Sequence, residues 1–166
     1  YRMEDGSFDI DGFKHAIDIV LTAQEVIVGS ASYPTPRIEK NSHLYRPLGL
    51  GFANLGALLM SKGLPYDSEE GRAYAGAITS LMCGQAYAQS ARIAEVMGTF
   101  EGYEPNATSM LDVMRMHEKA VDDIDTTLVS DELIDSAPGW LFDPQEIHHP
   151  RQLQPDPEGG EREIAP

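Results

Sequence analysis

Cysteine is almost absent from this chain of 166 residues, in which Cys83 is the only one. A single thiol cannot form an intramolecular disulfide, so a disulfide-stapled secreted fold is excluded and a reducing cytosol is expected. No histidine or basic residue shares a helical turn with Cys83, and the residue lies within the apolar band of a predicted helix. The sequence therefore favours a small buried hydrophobe over a redox-active thiol at this position.

Basic residues and long apolar runs are also scarce. The chain has 12 Lys and Arg against 27 Asp and Glu, a net charge of −15, which disfavours binding to nucleic acids and to anionic membranes. Its longest apolar run, residues 48–60, is shorter than the roughly 20 residues that span a bilayer and contains Asn54. The polar start at Tyr1 shows no secretory signal. We expect a cytoplasmic protein, and a start without methionine is consistent with a piece of a longer one.

No complete metal or nucleophile motif of a familiar kind is present either. Three histidines lack the carboxylate three residues earlier that di-iron Glu-x-x-His pairs require: His15, His43 and His117. His117-Glu118 is not followed by the second histidine of a zinc-protease motif, and His148-His149, near several prolines, is expected to be solvated. A group of aspartates is expected to form a helix end and the following loop: Asp122, Asp123 and Asp125. The sequence therefore predicts no catalytic, cofactor-binding or metal-binding residue.

What the sequence does contain is helical periodicity. Apolar residues at spacings of three, four and seven predict a helix over residues 10–28, with Asp9 as its N-cap and Gly29 at its end. After an extended Tyr-Pro-Thr-Pro connector, Thr35 is predicted to cap a short helix that begins at Pro36. Arg46-Pro47 would end that helix.

A second principal helix is predicted over residues 50–62, ended by Gly63. Gly49, Gly51 and Gly56 recur near its start, and they allow two interpretations. The first is a G-x-G phosphate cradle, but the third glycine of a dinucleotide-binding fingerprint is replaced by Asn54 and no strand precedes it. Close packing of a neighbouring backbone against the glycines is the better interpretation.

The third helix has the clearest start, since Asp67 and Glu70 make a capping-box-like pair, and it is predicted to end at Met97 before Gly98. Its glycines predict clearance for a neighbouring helix: Gly71, Gly76 and Gly84. A fourth helix is predicted to start at Asn106 or Thr108. The apolar face of that helix is Met110, Val113, Met114, His117, Val121 and Ile124.

The character of the sequence changes after residue 137. A short helix is predicted after Ser130, and residues 138–166 are rich in proline, glycine and acids. Such a tail has too little apolar surface to offset the entropy of ordering it, although Trp140, Leu141 and Phe142 could dock on the helices. We predict a helical region over residues 1–137 and a disordered acidic tail over residues 138–166.

Three blocks of sequence resemble a known family in the same order. They are FDIDGFKHAIDIVLTAQE (residues 8–25), RPLGLGFANLGALLMSKGLPYDSEEGR (residues 46–72) and MLDVMRMHEKAV (residues 110–121). They resemble the large chain of ribonucleotide reductases, most closely the adenosylcobalamin-dependent class II branch. The resemblance implies a mainly α segment of the family's ten-stranded α/β barrel catalytic domain. It also implies that the parent enzyme uses adenosylcobalamin, a ribonucleotide substrate and a thiol reductant, and that the rest of the domain is the partner of this chain.

The residues that perform this family's reaction have no counterpart here. The family uses a cysteine thiyl radical, a cysteine pair that supplies electrons and an Asn-Leu-Cys-x-Glu loop, whereas the nearest string, Asn54-Leu55-Gly56, lacks the thiol. A Pro-Thr-Gly-Thr-like phosphate loop is also missing. We therefore expect a fragment that supports a radical site located elsewhere and is inactive alone. Its helices would keep an exposed apolar face, so we also expect marginal stability or self-association.

Two alternatives remain for the function. The first is a truncated, non-catalytic helical module that binds a protein partner. The second is a class I reductase, whose radical comes from a separate subunit. The choice between diphosphate and triphosphate substrates, allosteric control and subunit number depend on regions outside this chain.

Overall fold

The computed structural model describes residues 1–129 and residue 133. These residues form five α-helices, α1 (Ile10–Ser30), α2 (Pro36–Tyr45), α3 (Leu55–Ser61), α4 (Glu69–Met97) and α5 (Ala107–Asp122). Two 3-10 turns flank α5, at Glu104–Asn106 and Thr126–Leu128. Over the described residues the only β pairing is an isolated antiparallel bridge between Arg2 and Phe8. The prediction of a mainly α fold is confirmed.

Two further predictions fall largely outside the described part of the chain. The helix expected after Ser130 is described only at Leu133, which is helical and fully buried. The tail over residues 138–166 and its Trp-Leu-Phe anchor lie outside the described residues, so the boundary at residue 137 stays a prediction.

The predicted starts of the first two helices are confirmed. A carboxylate oxygen of Asp9 accepts a hydrogen bond from the Gly12 N–H at 2.9 Å, and the Thr35 hydroxyl accepts one from the Ile38 N–H at 3.3 Å. These side chains satisfy N–H groups that have no partner within the helix. α1 continues past the predicted end at Gly29 and finishes at Ser30.

Two predicted helix starts are wrong. α3 begins at Leu55 rather than at residue 50, and residues 46–54 contain no helix, turn or bend. Two glycines before Asn54 lower the helix propensity of this stretch, which explains the late start. α4 is capped by Ser68, whose Oγ accepts from the Gly71 N–H at 3.0 Å; Asp67 instead accepts from Arg72 Nη1 at 2.8 Å.

The core lies mainly between α1 and α4. Side chains buried there include Phe13, Ile17, Tyr74, Ala77, Ile78 and Leu81, and Leu59 of α3 joins them. Above the core, Gln85 Nε2 donates to Asp18 Oδ1 at 2.6 Å and Gln89 Nε2 donates to Thr22 Oγ1 at 3.0 Å. Because residue numbers rise together in these two pairs, α1 and α4 run parallel.

Gly71 of α4 faces a different neighbour from the predicted one, whereas the prediction for Gly84 stays untested. A Cβ at Gly71 would lie 2.7 Å from the carbonyl oxygen of Pro65, so this glycine gives room to the connection between α3 and α4. A Cβ at Gly76 would meet Ile124 at an ordinary 3.5 Å. Clearance for a neighbouring helix is therefore the wrong explanation for Gly71.

α5 is more loosely attached than its predicted apolar face implies. Leu111, which lies outside that predicted set, is the buried residue of α5, whereas Val113 is 44% exposed. The helix starts at Ala107, between the two predicted positions, and the Asn106 side chain donates to the Gly102 carbonyl oxygen instead of capping it.

None of the helices within the described residues has both the length and the apolar composition that a membrane span requires.

Candidate functional site

The glycine-rich segment (residues 46–54) is tied to the C-terminal half of α1 by two adjacent side chains. Gln24 donates from Nε2 to the Gly49 carbonyl oxygen at 2.9 Å and accepts from the Gly49 N–H at 3.1 Å. Glu25 forms an ion pair with Arg46, whose Nη2 also donates to the Glu25 carbonyl oxygen at 2.8 Å. The side chains of this pair are only 24% and 25% exposed, so water screens it less than a typical surface pair. These bonds fix the path of the segment along α1.

Both ends of the segment have left-handed backbone conformations. Arg46 has φ 43° and Asn54 has φ 72°, and they are the only non-glycine residues with positive φ in the part of the chain that the structure describes. A non-glycine residue in this region costs about 1 kcal/mol, although asparagine tolerates it better than most. The chain therefore turns sharply out of α2 and into α3, and it runs straight between these two points.

An apolar groove of about 500 Å³ lies between the glycine-rich segment, α1 and the N-terminal arm (residues 1–9). Its lining includes Phe8, Phe13, Val20, Phe52, Leu58 and Met82. The arm is held in place by Lys62, whose Nζ donates to the Gly6 carbonyl oxygen at 2.9 Å, and by the edge-on packing of Phe8 and Phe13 at 5.3 Å. Hydrogen bonds and ring packing therefore hold both sides of the groove in place.

The groove gives no support to a phosphate cradle. Arg2 is the one basic residue in its lining, and α3, which follows the segment, is only seven residues long. The packing interpretation also finds no partner here, because a Cβ at Gly49 or Gly51 would meet no described atom within 4 Å. The two glycines therefore have no packing partner among the described residues.

A second cluster surrounds the single thiol. Cys83 Sγ lies 3.7 Å from His117 Nδ1, and Tyr87 Oη lies 3.0 Å from the same nitrogen. The Tyr87 and His117 rings stack with their centroids 5.9 Å apart. Sequence reasoning placed Cys83 and His117 on apolar faces of two different helices. It missed that those faces meet, and it missed Tyr87 altogether.

The chemistry of this cluster is that of a neutral thiol. Burial raises the pKa of the Cys83 thiol, and the hydrogen bond with Tyr87 offsets only part of that effect. Burial likewise raises the pKa of Tyr87, with the neighbouring Cys83 as a second cause. A reactive cysteine needs a lowered pKa, so this environment favours a packed side chain over a nucleophile. That Cys83 has no catalytic role stays a prediction.

The other residues singled out from the sequence are dispersed. His15 is exposed on α1, and the His43 ring packs edge-on against Tyr33 at 5.5 Å. Asp122 and Asp123 lie at the end of α5, and Asp125 accepts from the Thr127 N–H at 3.0 Å, as expected for a helix end and loop. Residues 148–149 lie outside the described residues. Over residues 1–129 and 133, no three His, Cys, Asp or Glu side chains are grouped as metal ligands.

The arrangement of α1 and α4 is informative about the class of fold. Adjacent helices that run parallel and are joined by a long connection are typical of the helical layers of α/β folds. The described residues contain such a pair, α1 and α4, but no strands.

The family follows from a comparison with family models. Residues 1–146 match the model of the ribonucleotide reductase barrel domain. The chain belongs to the ribonucleotide reductase family, and the resemblance stated from the three sequence blocks is confirmed.

Curated relatives agree with this assignment. A vitamin B12-dependent ribonucleotide reductase of Rhodopirellula baltica is 50% identical over 124 residues, which cover 75% of this chain and 12% of the relative. The enzymes of the same name from Streptomyces coelicolor and Bradyrhizobium diazoefficiens are 47% and 46% identical over 128 and 120 residues, or 74% and 72% of this chain. The matched stretch is 13% and 10% of those two proteins. The chain thus spans only about an eighth of the length of these relatives.

Proposed function

We propose that this chain is a helical support segment of the barrel domain of a vitamin B12-dependent ribonucleotide reductase. The parent enzyme would reduce ribonucleotides to deoxyribonucleotides for DNA synthesis by a thiyl-radical mechanism, in the cytoplasm. The observation that carries the proposal is the match of residues 1–146 to the barrel-domain model, supported by relatives that are 45–50% identical over about three quarters of the chain.

The support role, rather than a catalytic one, rests on the chemistry of the residues present. Removing the 2′-hydroxyl of a ribose needs two electrons, and one thiol cannot supply them by forming an internal disulfide. Cys83 is the single cysteine, and its pKa is raised rather than lowered. We infer that the thiyl radical and the reducing cysteines come from other parts of the parent, and that this chain is inactive alone.

The groove does not fit the cofactor of the relatives. A corrinoid with its nucleotide and adenosyl arms is much larger than the drug-sized ligands that cavities of roughly 300–1,000 Å³ enclose, and the groove measures about 500 Å³. Its polar side chains are few, chiefly Arg2, Asn54 and Ser61. No step through the cofactor is assigned to these residues, and adenosylcobalamin would be bound by the rest of the parent.

A transplant tests the proposal. The 124-residue stretch of the Rhodopirellula baltica reductase that matches this chain is replaced by the corresponding residues of this chain, and nucleotide reduction is measured with adenosylcobalamin and a dithiol. We expect the chimera to retain activity within about tenfold of the relative, because supporting residues at 50% identity conserve most of the packing. The isolated chain, assayed in parallel, should show none.

Two outcomes would contradict the proposal. Turnover by the isolated chain would show that the chemistry lies within it. A chimera that folds and binds cobalamin but has no activity would favour the alternative, a non-catalytic helical module that has lost the fit to a reductase barrel.

A further inference from the structure

Part of the apolar lining of the groove is not covered by any described residue. Phe52 is 36% exposed, and Leu55, Leu58 and Met82 are only partly buried although they pack against the core. Ala57 of α3, which also lines the groove, is exposed. Contact with water is unfavourable for such apolar surface, so an apolar cover would stabilise the chain.

The chain leaves its last described residue from inside the same apolar cluster. Val129 is 7% exposed and Leu133 is fully buried, and both belong to the core cluster that contains Phe8 and Phe13. Those two rings also line the groove, at the end nearest the N-terminal arm. Residues 134–166 therefore start from the cluster that forms the floor of the groove.

The sequence after Leu133 contains one run of three consecutive apolar residues, Trp140-Leu141-Phe142. The chain from Leu133 to this run spans roughly 23 Å when extended, and about 16 Å if the helix predicted for this region continues to residue 137. The part of α1 that lines the groove, from Phe13 to Val20, is only about 10 Å long. The run therefore has the reach to enter the groove, whose volume of about 500 Å³ suits an occupant of this size.

The charges at the groove favour an occupant that carries a carboxylate. Arg2 is the one basic residue in the described lining, which has no Asp or Glu, whereas the whole chain has a net charge of −15. Among the described residues, no carboxylate oxygen lies within 4 Å of the Arg2 guanidinium. Asp143 directly follows the apolar run, so a run that docks beside the arm has a carboxylate at hand for Arg2.

We propose that residues 140–142 dock in the groove of their own chain, at the end nearest the N-terminal arm, with Asp143 beside Arg2. The docked run covers apolar side chains of α3 there, Ala57 and Leu58. The occupant is this chain rather than a second copy, because the run is tethered to the core and is therefore present at a high effective concentration. The inference goes beyond the proposed function, since it concerns a contact within the free chain.

Tryptophan fluorescence is the first test, because Trp140 is the only tryptophan of the chain. The emission maximum of the native chain should lie at least about 10 nm to the blue of the urea-unfolded chain, and acrylamide should quench it at least about threefold less efficiently, since a docked indole is removed from water. An emission maximum and a quenching constant equal to those of the unfolded chain would overturn the proposal. Protection that disappears when a dimer is diluted would also overturn it, because a second copy would then be the occupant.

A matched pair of variants tests whether the groove is the docking site. Ala57→Glu places a carboxylate in the groove without removing a core side chain, and glutamate suits a helix. Ala120→Glu adds the same charge at an exposed position of α5 that lies outside the groove lining. Ala57→Glu should remove at least about half of the blue shift, and Ala120→Glu should change it by less than about 2 nm. With the helix content of both variants verified by circular dichroism, equal shifts would place Trp140 elsewhere and contradict the proposal.

A charge exchange tests the position of the docked run. Arg2→Glu and Asp143→Arg should each raise the acrylamide quenching constant at least about 1.5-fold, because each places two like charges side by side, and the double variant should restore it. Single variants that quench like the unsubstituted chain would overturn the placement of Asp143 beside Arg2. These measurements involve no nucleotide reduction, so their failure would leave the proposed function standing.

Discussion

The two flanks of α1 have opposite surroundings. Toward α4, Asp18 and Thr22 bond Gln85 and Gln89, and Phe13 and Ile17, which lie where this interface meets the groove, are only 6% and 5% exposed. Toward the groove, Val20 is 44% exposed, and Ile27, seven residues later on the same side of the helix, is 59% exposed. One flank is therefore complete within the chain, whereas the other keeps apolar surface that isolated soluble domains usually bury. The difference separates the part of the fold that is packed within the described residues from the part that leaves apolar side chains exposed.

The largest expected loss of stability comes from a substitution in the packed interface between α1 and α4. Leu81 is fully buried between the helices, so Leu81→Ala should lower the free energy of unfolding of the chain by about 3 kcal/mol through lost burial and a residual cavity. Val20→Ala, on the groove flank, should cost less than about 0.5 kcal/mol in the isolated chain. Urea unfolding followed by circular dichroism measures both. Comparable losses would mean that the two flanks are equally packed.

Two glycines of α4, one in a crowded place and one in an open place, allow a matched comparison of stability within one helix. Gly71→Ala should destabilise the chain by about 2 kcal/mol, because the new Cβ would meet the carbonyl oxygens of Pro65 and Tyr66 at 2.7 and 3.1 Å. Gly76→Ala should stabilise it by about 0.5 kcal/mol, since its Cβ meets Ile124 at an ordinary distance and alanine has the higher helix propensity. Thermal unfolding of both variants separates them, and a stabilising Gly71→Ala would refute the assigned contact.

The starts of α1 and α2 and the buried face of α1 could be predicted from the sequence, because the signals for them are local. Asp9 and Thr35 stand three residues before the N–H groups they cap, and the apolar spacing of α1 indicates its buried face directly. The wrong start of α4 came from neighbouring residues of similar chemistry: both Asp67 and Ser68 can cap a helix, and only the path of the chain after Pro65 decides between them.

The candidate site was harder to predict because it depends on distant contacts. Gln24 and Gly49 are 25 residues apart, and Cys83 and His117 are 34 apart, with no motif to link either pair. The straight path of residues 46–54 likewise overrides a pattern that resembles a helix start. Local periodicity cannot distinguish a helix from an extended segment whose glycines suit both.

A smaller effect tests the end of the glycine-rich segment. Asn54 holds φ 72°, so Asn54→Ala should destabilise the chain by about 1 kcal/mol. Asn54→Gly relieves the conformation and should stay within about 0.5 kcal/mol of the parent. Chemical unfolding of the two variants gives the difference between them. Equal stabilities would show that the left-handed conformation is not maintained in solution.

The smallest expected effect concerns pH. The pKa of Cys83 is raised in the folded chain, so its contribution to stability is present below the unfolded thiol's ordinary pKa of about 8.5 and is lost as pH rises toward the folded value. The urea midpoint should therefore fall between pH 7 and 9.5, and less steeply in Cys83→Ala. A thiol reagent should label the native chain slowly at pH 7. Rapid labelling would indicate an exposed, activated thiolate.

Replacing Cys83 by alanine in the chimeric reductase tests the central claim most directly. Nucleotide reduction by the Cys83→Ala chimera should equal that of the unsubstituted chimera within about twofold, because the proposed function makes the thiol a packed side chain and assigns the radical chemistry to other parts of the enzyme. Loss of turnover in a variant that keeps its fold and its cobalamin binding would place the reaction within this chain and contradict the account.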